Sequence, residues 1–185
     1  MSKNDAIILS VPCDFRFTAA VENSVRIVLP LLNGFSSDKL ELELRTVLNE
    51  AFVNIVKHCK PKPKEMAKIV YSVHSNRLEL NVFDSGKGLA VNNQLPPYPV
   101  AIVGTTQPLF KTFDGQVMAK VLDHNTLVAI FREDDIDNIG RDEIISSTKP
   151  GGLGIPIMTK LMDEVQFHYL GDAGQVLKMI KYFDK

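Results

Sequence analysis

Three short segments of the chain carry residue types that could do chemistry, although they lie far apart in the sequence. In the first, residues 49–54, the carboxylate of Glu50 precedes the carboxamide of Asn54 by four positions. On a helix this spacing places both side chains on one face. The segment therefore predicts a carboxylate and a carboxamide that act at the same place.

The second and third segments carry glycines where a ligand could approach the backbone. Asp84, Gly86 and Gly88 follow an apolar strand pattern, so the chain there can pass close to a flat ligand. The third segment runs into an amphipathic helix, whose free N–H groups are suited to phosphates. Its residues are Gly151, Gly152, Leu153 and Gly154. Together the three segments predict the walls of one nucleotide pocket.

In this order the segments resemble the N, G1 and G2 boxes of the GHKL (Bergerat-fold) ATP-binding superfamily. The run at 151–165, Gly-Gly-Leu-Gly-Ile-Pro-Ile-Met-Thr-Lys-Leu-Met-Asp-Glu-Val, is similar to the RsbW-type anti-sigma-factor serine kinases of that superfamily. The resemblance covers residues 12–90 and 148–184, which is nearly all of the core. It implies that the chain binds ATP and Mg²⁺ in a pocket formed by these boxes.

The resemblance also implies a role for each residue. Asn54 is expected to hold Mg²⁺, and Glu50 to act as general base on a serine hydroxyl. Asp84 is expected to accept a hydrogen bond from the adenine amino group, beside Gly86 and Gly88. The glycine cluster at 151–154 is expected to bind phosphate, which the partial positive charge of a helix N-terminus favours. Lys149 could add a phosphate contact or remain an exposed surface lysine.

Arg26 lies on the first predicted helix, after Glu22. This pattern is similar to that of kinases of this branch whose arginine engages the protein substrate. A solvated helix arginine explains the same pattern equally well.

Composition excludes several other classes of function. The formal net charge of −1 shows no basic excess, so binding to nucleic acid is not supported. No stretch approaches the ~20 apolar residues of a membrane span, and the N-terminus lacks a signal-peptide pattern. Two cysteines without metal-ligand spacing favour a reduced, cytoplasmic setting. There is no GxxxxGK[ST] P-loop, and the four histidines have no zinc spacing.

Hydrophobic periodicity predicts a single α+β domain over residues 1–185. Strands are predicted at 13–18, 67–74, 77–83, 165–169 and 175–183, and helices at 21–32, 38–59 and 155–164. Pro30 should bend the first helix or end it early. Helices on one face of a mixed, mainly antiparallel sheet give a two-layer α/β sandwich, which is also the Bergerat fold that the resemblance implies.

Residues 90–148 do not fit this plan, because family members carry a much shorter lid between the G1 and G2 boxes. A hairpin is predicted at 116–122 and 127–131, since a structureless loop of this length is improbable in a compact domain. We interpret the segment as an enlarged lid that covers the nucleotide or docks a protein partner. A passive decoration packed on the sheet is the alternative.

The resemblance implies an ATP-dependent protein serine kinase that acts as an anti-sigma factor. Its expected partners are a sigma factor, a STAS-domain antagonist that it phosphorylates on serine, and a second copy in a homodimer. One alternative is a kinase of this fold in a circuit without a sigma factor. The other is a non-catalytic ATP-gated binding module, which would not need Glu50 as a base.

Overall fold

The computed structural model describes residues 5–32, 35, 37–58, 65–133 and 153–183. In this part of the chain, eight strands form one sheet. They are β1 (Asp5–Pro12), β2 (Met66–Val73), β3 (Arg77–Asp84), β4 (Thr106–Thr112), β5 (Gly115–Val121), β6 (Thr126–Glu133), β7 (Glu164–Tyr169) and β8 (Gln175–Tyr182). Their spatial order is β1-β2-β3-β8-β7-β6-β5-β4, and each of these pairings is antiparallel.

Helices cover one face of this sheet. They are α1 (Thr18–Asn23), α2 (Val25–Val28), α3 (Asp38–His58) and α4 (Gly154–Leu161). The single helix predicted at 21–32 is wrong, since α1 and α2 are two short helices separated at Ser24. The early end expected from Pro30 is confirmed, because α2 stops at Val28 and passes into a 3-10 turn at Leu29–Leu31. Both α1 and α4 pack against α3. The predicted fold class, a two-layer α+β sandwich with helices on one face of the sheet, is confirmed.

The core lies between α3 and the central strands. The buried side of α3 presents Leu44, Leu48 and Phe52, all less than 2% exposed. Opposite them, Ile69 and Leu80 are completely buried on neighbouring strands. Burying each such side chain contributes roughly 1.5–3 kcal/mol. This packing fixes the rotation of α3 and therefore the direction in which its polar flank points.

The predicted strand at 13–18 is wrong. The Asp14 carboxylate accepts a hydrogen bond from the backbone N–H of Arg16 at 2.8 Å, and a 3-10 turn at Phe15–Phe17 leads into α1. An Asp that bonds to the backbone two residues later favours a turn over a strand. The first strand is β1, immediately before this point, and it pairs with β2 over its whole length.

Residues 106–133 belong to the main sheet. The predicted hairpin corresponds to β5 and β6, and β4 adds a third strand at the sheet edge. Val117, Ala119, Val121 and Leu127 in these strands are completely buried. This part of the long segment therefore contributes to the hydrophobic core. Residues 134–152 lie outside the described part of the chain.

Candidate nucleotide site

Glu50 and Asn54 lie one turn apart on the flank of α3. The helix begins after Ser37, whose hydroxyl accepts the backbone N–H of Leu40 at 3.1 Å. Glu50 and Asn54 are both half-buried, next to the completely buried Phe52. Because the apolar stripe of α3 faces the sheet, its flank turns these two polar groups toward α4.

Gly154, the first residue of α4, brings the third segment against this pair. A Cβ atom placed on Gly154 would lie 2.7 Å from Asn54 Nδ2 and 3.0 Å from Glu50 Oε2. Side chains do not normally approach a Cβ so closely, so the space is available only because the residue is glycine. The beginning of α4, with its unpaired backbone N–H groups, therefore meets the carboxylate and the carboxamide of α3.

Asp84 ends β3 and is held by two neighbours. Its Oδ1 accepts the backbone N–H of Gly86 at 2.5 Å. The side-chain amide of Gln175, its partner across the sheet, donates to Oδ1 at 3.1 Å and to Oδ2 at 3.0 Å. Burial raises the pKa of Asp84 above its ordinary value, and these hydrogen bonds oppose the shift only in part. The result is an oriented, half-buried acceptor.

Close packing around the loop after Asp84 requires glycine at two positions. Gly88 has a φ of +88°, and a Cβ there would collide with the ring of Pro96. Gly174 has a φ of +93° and lies directly against the backbone of Asp84 and Ser85. Residues with a side chain rarely adopt this backbone conformation. The two glycines let the 84–88 loop pack tightly beside the beginning of β8.

These groups surround one cavity of about 780 Å³. Val82, Phe167 and Leu177 form its floor on the sheet. The remaining lining includes Ala51, Asn54 and Ile55 of α3, Asp84 to Leu89, and Gly154, Ile155 and Met158 of α4. A volume of this size and a mainly apolar lining with a few polar groups are typical of a small-molecule site.

A profile of the histidine kinase-like ATPase domain matches residues 18–181. The chain belongs to this family. Among curated proteins it is similar to the serine-protein kinase RsbW of Bacillus thuringiensis (strain Al Hakam), Bacillus cereus (strain AH820) and Bacillus anthracis. Each is 22% identical over 188 residues, which cover 100% of this chain and 89% of the relative.

The residues around the cavity fit the ATP that this family membership implies. Asp84 offers a half-buried acceptor at the end of β3, and Gly154 keeps space open beside Asn54 and Glu50 at the beginning of α4. The apolar floor suits a flat base, and the beginning of α4 suits phosphate. Carboxylate and carboxamide oxygens are suitable ligands for Mg²⁺.

The site residues predicted from sequence fall into three groups. Asn54, Asp84, Gly86, Gly88 and Gly154 line the cavity, and Glu50 lies against Gly154. Leu153 precedes α4 with its side chain exposed. Lys149, Gly151 and Gly152 lie outside the described residues. Their predicted roles stay predictions.

Arg26 lies elsewhere, on α2. Its Nε donates to Glu41 Oε1 of α3 at 2.8 Å, and its side chain is largely exposed. It does not line the cavity. Its predicted contact with a protein partner stays a prediction.

Gln175, Glu65 and His58 also line the cavity and were not predicted as site residues. The Ser85 hydroxyl donates to Glu65, while Glu65 Oε2 is buried without a hydrogen-bond partner in the described part of the chain. The Glu65 charge raises the pKa of Asp84 and the His58 charge lowers it, both less strongly than burial does. Only the pairing of β8 with β3 reveals Gln175, because its sequence neighbours carry no motif.

Two further findings concern the described residues. No group of three His, Cys, Asp or Glu side chains in these ranges is arranged to hold a metal ion. None of the helices there is both long enough and apolar enough to cross a membrane.

Proposed function

We propose that this chain is an ATP-dependent protein serine kinase that acts as an anti-sigma factor in the cytoplasm. Its substrate would be a serine on a STAS-domain antagonist, and phosphorylation would decide which partner it holds. The proposal depends most on one observation, the contact of Gly154 with both Glu50 and Asn54. That contact joins a carboxylate, a carboxamide and a helix N-terminus at one end of the cavity. The similar proteins are named serine-protein kinase RsbW, which supports the kinase activity.

Each residue has a chemical task in this proposal. Bound ATP supplies the phosphoryl group, and Mg²⁺ held by Asn54 would offset the negative charge of the phosphates. The backbone N–H groups at the beginning of α4 bind and orient the phosphates. The Asp84 carboxylate accepts a hydrogen bond from the adenine amino group, and this contact would favour ATP over GTP. Phosphoryl transfer asks the protein mainly for positioning and charge neutralisation, and these residues provide both.

Glu50 would be the general base. Its Oε2 lies 3.0 Å from the point that a Cβ atom on Gly154 would occupy. We expect the phosphates of ATP to bind at this part of the cavity. A serine hydroxyl that enters there could give its proton to Glu50 as its oxygen attacks the γ-phosphorus of ATP, while the bond from that phosphorus to the bridging oxygen breaks and ADP leaves. A positioned base typically contributes roughly 10²–10⁴-fold to the rate.

The test compares wild type with Glu50→Gln, using radiolabelled ATP and the STAS-domain protein encoded nearest in the genome. The variant keeps size and hydrogen bonding, so we expect ATP binding to survive and serine phosphorylation to fall by roughly 10²–10⁴-fold. Glu43→Gln, on the same helix but away from the cavity, is the matched control and should phosphorylate normally.

Three results would contradict parts of the proposal. An unchanged rate in Glu50→Gln would remove Glu50 as the base. ATP binding without any phosphorylation in the wild type would favour an ATP-gated binding module instead. A pull-down that recovers a phosphorylated partner but no sigma factor would place the kinase in a different regulatory circuit.

A further inference from the structure

α4 begins at the cavity and ends beside the strands of the long segment. Its first two residues, Gly154 and Ile155, line the cavity, and Lys160 lies in its last turn. The helix contains eight residues and is therefore roughly 12 Å long. A helix this short moves as a rigid body, so a contact that holds its last turn also influences where its first turn lies.

The turn between β4 and β5 holds Lys160. The Lys160 Nζ donates to Asp114 Oδ2 at 2.5 Å, while the hydroxyl of the buried Thr112 donates to Asp114 Oδ1 at 2.9 Å. Burial raises the pKa of Asp114, but the hydrogen bonds from Lys160 and Thr112 outweigh it, so this pKa lies below its ordinary value. The turn therefore presents an oriented, charged carboxylate to the end of α4.

Two aromatic rings complete the surroundings of the Lys160 ammonium group. Its Nζ lies 4.3 Å from the ring centroid of Phe131 on β6 and 5.7 Å from that of Phe113 in the β4–β5 turn. Both distances fall within the ~6 Å over which a cation is attracted to an aromatic face. The side chains of Lys160 and Asp114 are 33% and 26% exposed, so water screens their attraction only in part. The long segment thus contacts α4 through a carboxylate and two rings around one charge.

The two ends of α4 are held differently within the described part of the chain. At its beginning, Leu153 makes no side-chain cap hydrogen bond, and the buried Pro156 contributes apolar packing. At its end, the Leu161 carbonyl accepts the Nζ of Lys181 at 2.8 Å, which fastens the helix to β8. Lys160 fastens the same turn to the long segment. The polar contacts that fix the direction of the helix therefore lie at the end opposite the cavity.

We propose that Lys160 and Asp114 are positioning residues for the phosphates of the bound nucleotide, an inference that rests on the proposed ATP binding. Their ion pair lets the β4–β5 turn hold α4 so that the N–H groups at its beginning face the phosphates beside Asn54 and Glu50. Neither member of the pair lines the cavity. Losing the pair should therefore weaken binding of the phosphates and leave binding of the base unchanged.

The test measures binding of MgATP, MgADP and adenosine to Asp114→Asn and Lys160→Met. Asparagine can still accept the hydrogen bond from Thr112, and methionine keeps most of the lysine stem, so both variants remove charge with little change of shape. We expect affinity for MgATP and MgADP to fall by about three- to tenfold, the range of an ion pair combined with cation–π contacts. Adenosine should bind within about twofold of wild type, because it carries no phosphate.

Two further variants test whether the pair acts as a unit. The double variant should bind MgATP no more weakly than either single variant, because each single change already removes the shared contact. Lys160→Arg keeps the charge and the attraction to the rings, so its MgATP affinity should stay within about twofold of wild type.

Charge-removing variants elsewhere on the long segment are matched controls. Lys120 is exposed and lies between the buried Ala119 and Val121, so Lys120→Met changes the opposite face of β5. Asp123 accepts the backbone N–H of Asn125 at 2.7 Å in the turn between β5 and β6, and Asp123→Asn can keep that bond. Both controls should bind all three ligands within about twofold of wild type.

The possible failures can be told apart. Unchanged MgATP affinity in both single variants, with a wild type that binds MgATP, would overturn the positioning role and leave the proposed function intact. An equal loss for adenosine would also overturn it, since the pair would then support the whole cavity. A wild type that binds neither MgATP nor adenosine would overturn the proposed function itself. Thermal melting checks that each variant is folded, and because the two residues lie on different elements, either folded variant decides the result.

Discussion

Replacing Gly154 by Ala should damage the site while leaving the fold intact. The new Cβ would lie 2.7 Å from Asn54 Nδ2 and 3.0 Å from Glu50 Oε2, whereas ordinary contacts begin at 3.4 Å. Asn54 must therefore retreat by about 0.7 Å and Glu50 by about 0.4 Å. Both atoms end flexible side chains, so this retreat costs little folding free energy.

Helix propensity acts in the opposite direction on stability. Alanine is favoured over glycine within a helix by roughly 0.5–1 kcal/mol. We therefore expect the melting temperature of ligand-free Gly154→Ala to stay within about 3 °C of wild type. A misplacement of about 1 Å at a reacting centre can cost 10²-fold, so phosphorylation should fall by roughly 10–100-fold. MgATP binding should weaken as well, because the added methyl occupies space beside Asn54.

The assay combines thermal melting, calorimetric titration with MgATP, and transfer of labelled phosphate to the protein partner. Gly171→Ala is the control, since Gly171 has open space around it but a φ of +65°. It should lose stability by roughly 1–2 kcal/mol and keep its ATP affinity. If Gly154→Ala binds MgATP and transfers phosphate like wild type, the contact among Gly154, Asn54 and Glu50 does not form the phosphate end.

Three other predictions address the preference for adenine, the ionisation of Asp84 and the strands β4 to β6. MgATP at a hundredfold over its Kd should stabilise the protein by ~2.7 kcal/mol, or roughly 5–10 °C, and GTP by much less; equal shifts would remove Asp84 as the reader of adenine. Burial raises the pKa of Asp84, so the stability linked to its carboxyl is present below pH 3.8 and is lost as pH rises through the folded pKa. Asp84→Asn should therefore raise the melting temperature of the ligand-free protein at neutral pH. Thermal melting measured at pH values down to about 4 should show this gain becoming smaller. Replacing residues 93–143 with a Gly-Ser linker should abolish cooperative melting, because it removes completely buried side chains such as Val117 and Leu127; a folded linker variant would show that β4 to β6 are dispensable.

The elements that the sequence determined are those with strong local patterns. Leu40, Leu44, Val47 and Leu48 repeat with helical spacing, and α3 forms where this repeat predicts it. β2, β3, β7 and β8 follow their alternating patterns to within a residue or two. The strand expected at 13–18 failed because the Asp14 side chain bonds to the backbone and starts a turn, a local interaction that overrides alternation.

The long segment shows the limit of local reasoning. Its hairpin was predictable from two apolar runs around a polar turn, and β5 and β6 form there. Its place in the molecule was not, since pairing of β6 with β7 joins strands that are distant in sequence. The lid interpretation placed the segment over the nucleotide, and the decoration interpretation packed it on the sheet. Neither predicted strands within the main sheet. In β4 the register shifts at Leu109, since Pro108 pairs with Met118 and Phe110 with Val117, and this shift cannot be predicted without the partner strand.

The sequence by itself determined which residue types are available for nucleotide chemistry and the local conformations that carry them. Helical spacing joins Glu50 to Asn54, and glycine positions indicate where backbone can approach a ligand. Only the tertiary structure decided what meets across the cavity. Gly154 contacts both α3 side chains, Gln175 orients Asp84, and Phe110 and Leu95 line the cavity. The physical reason is that these contacts depend on sheet register and helix packing, which arise from many weak interactions between distant residues.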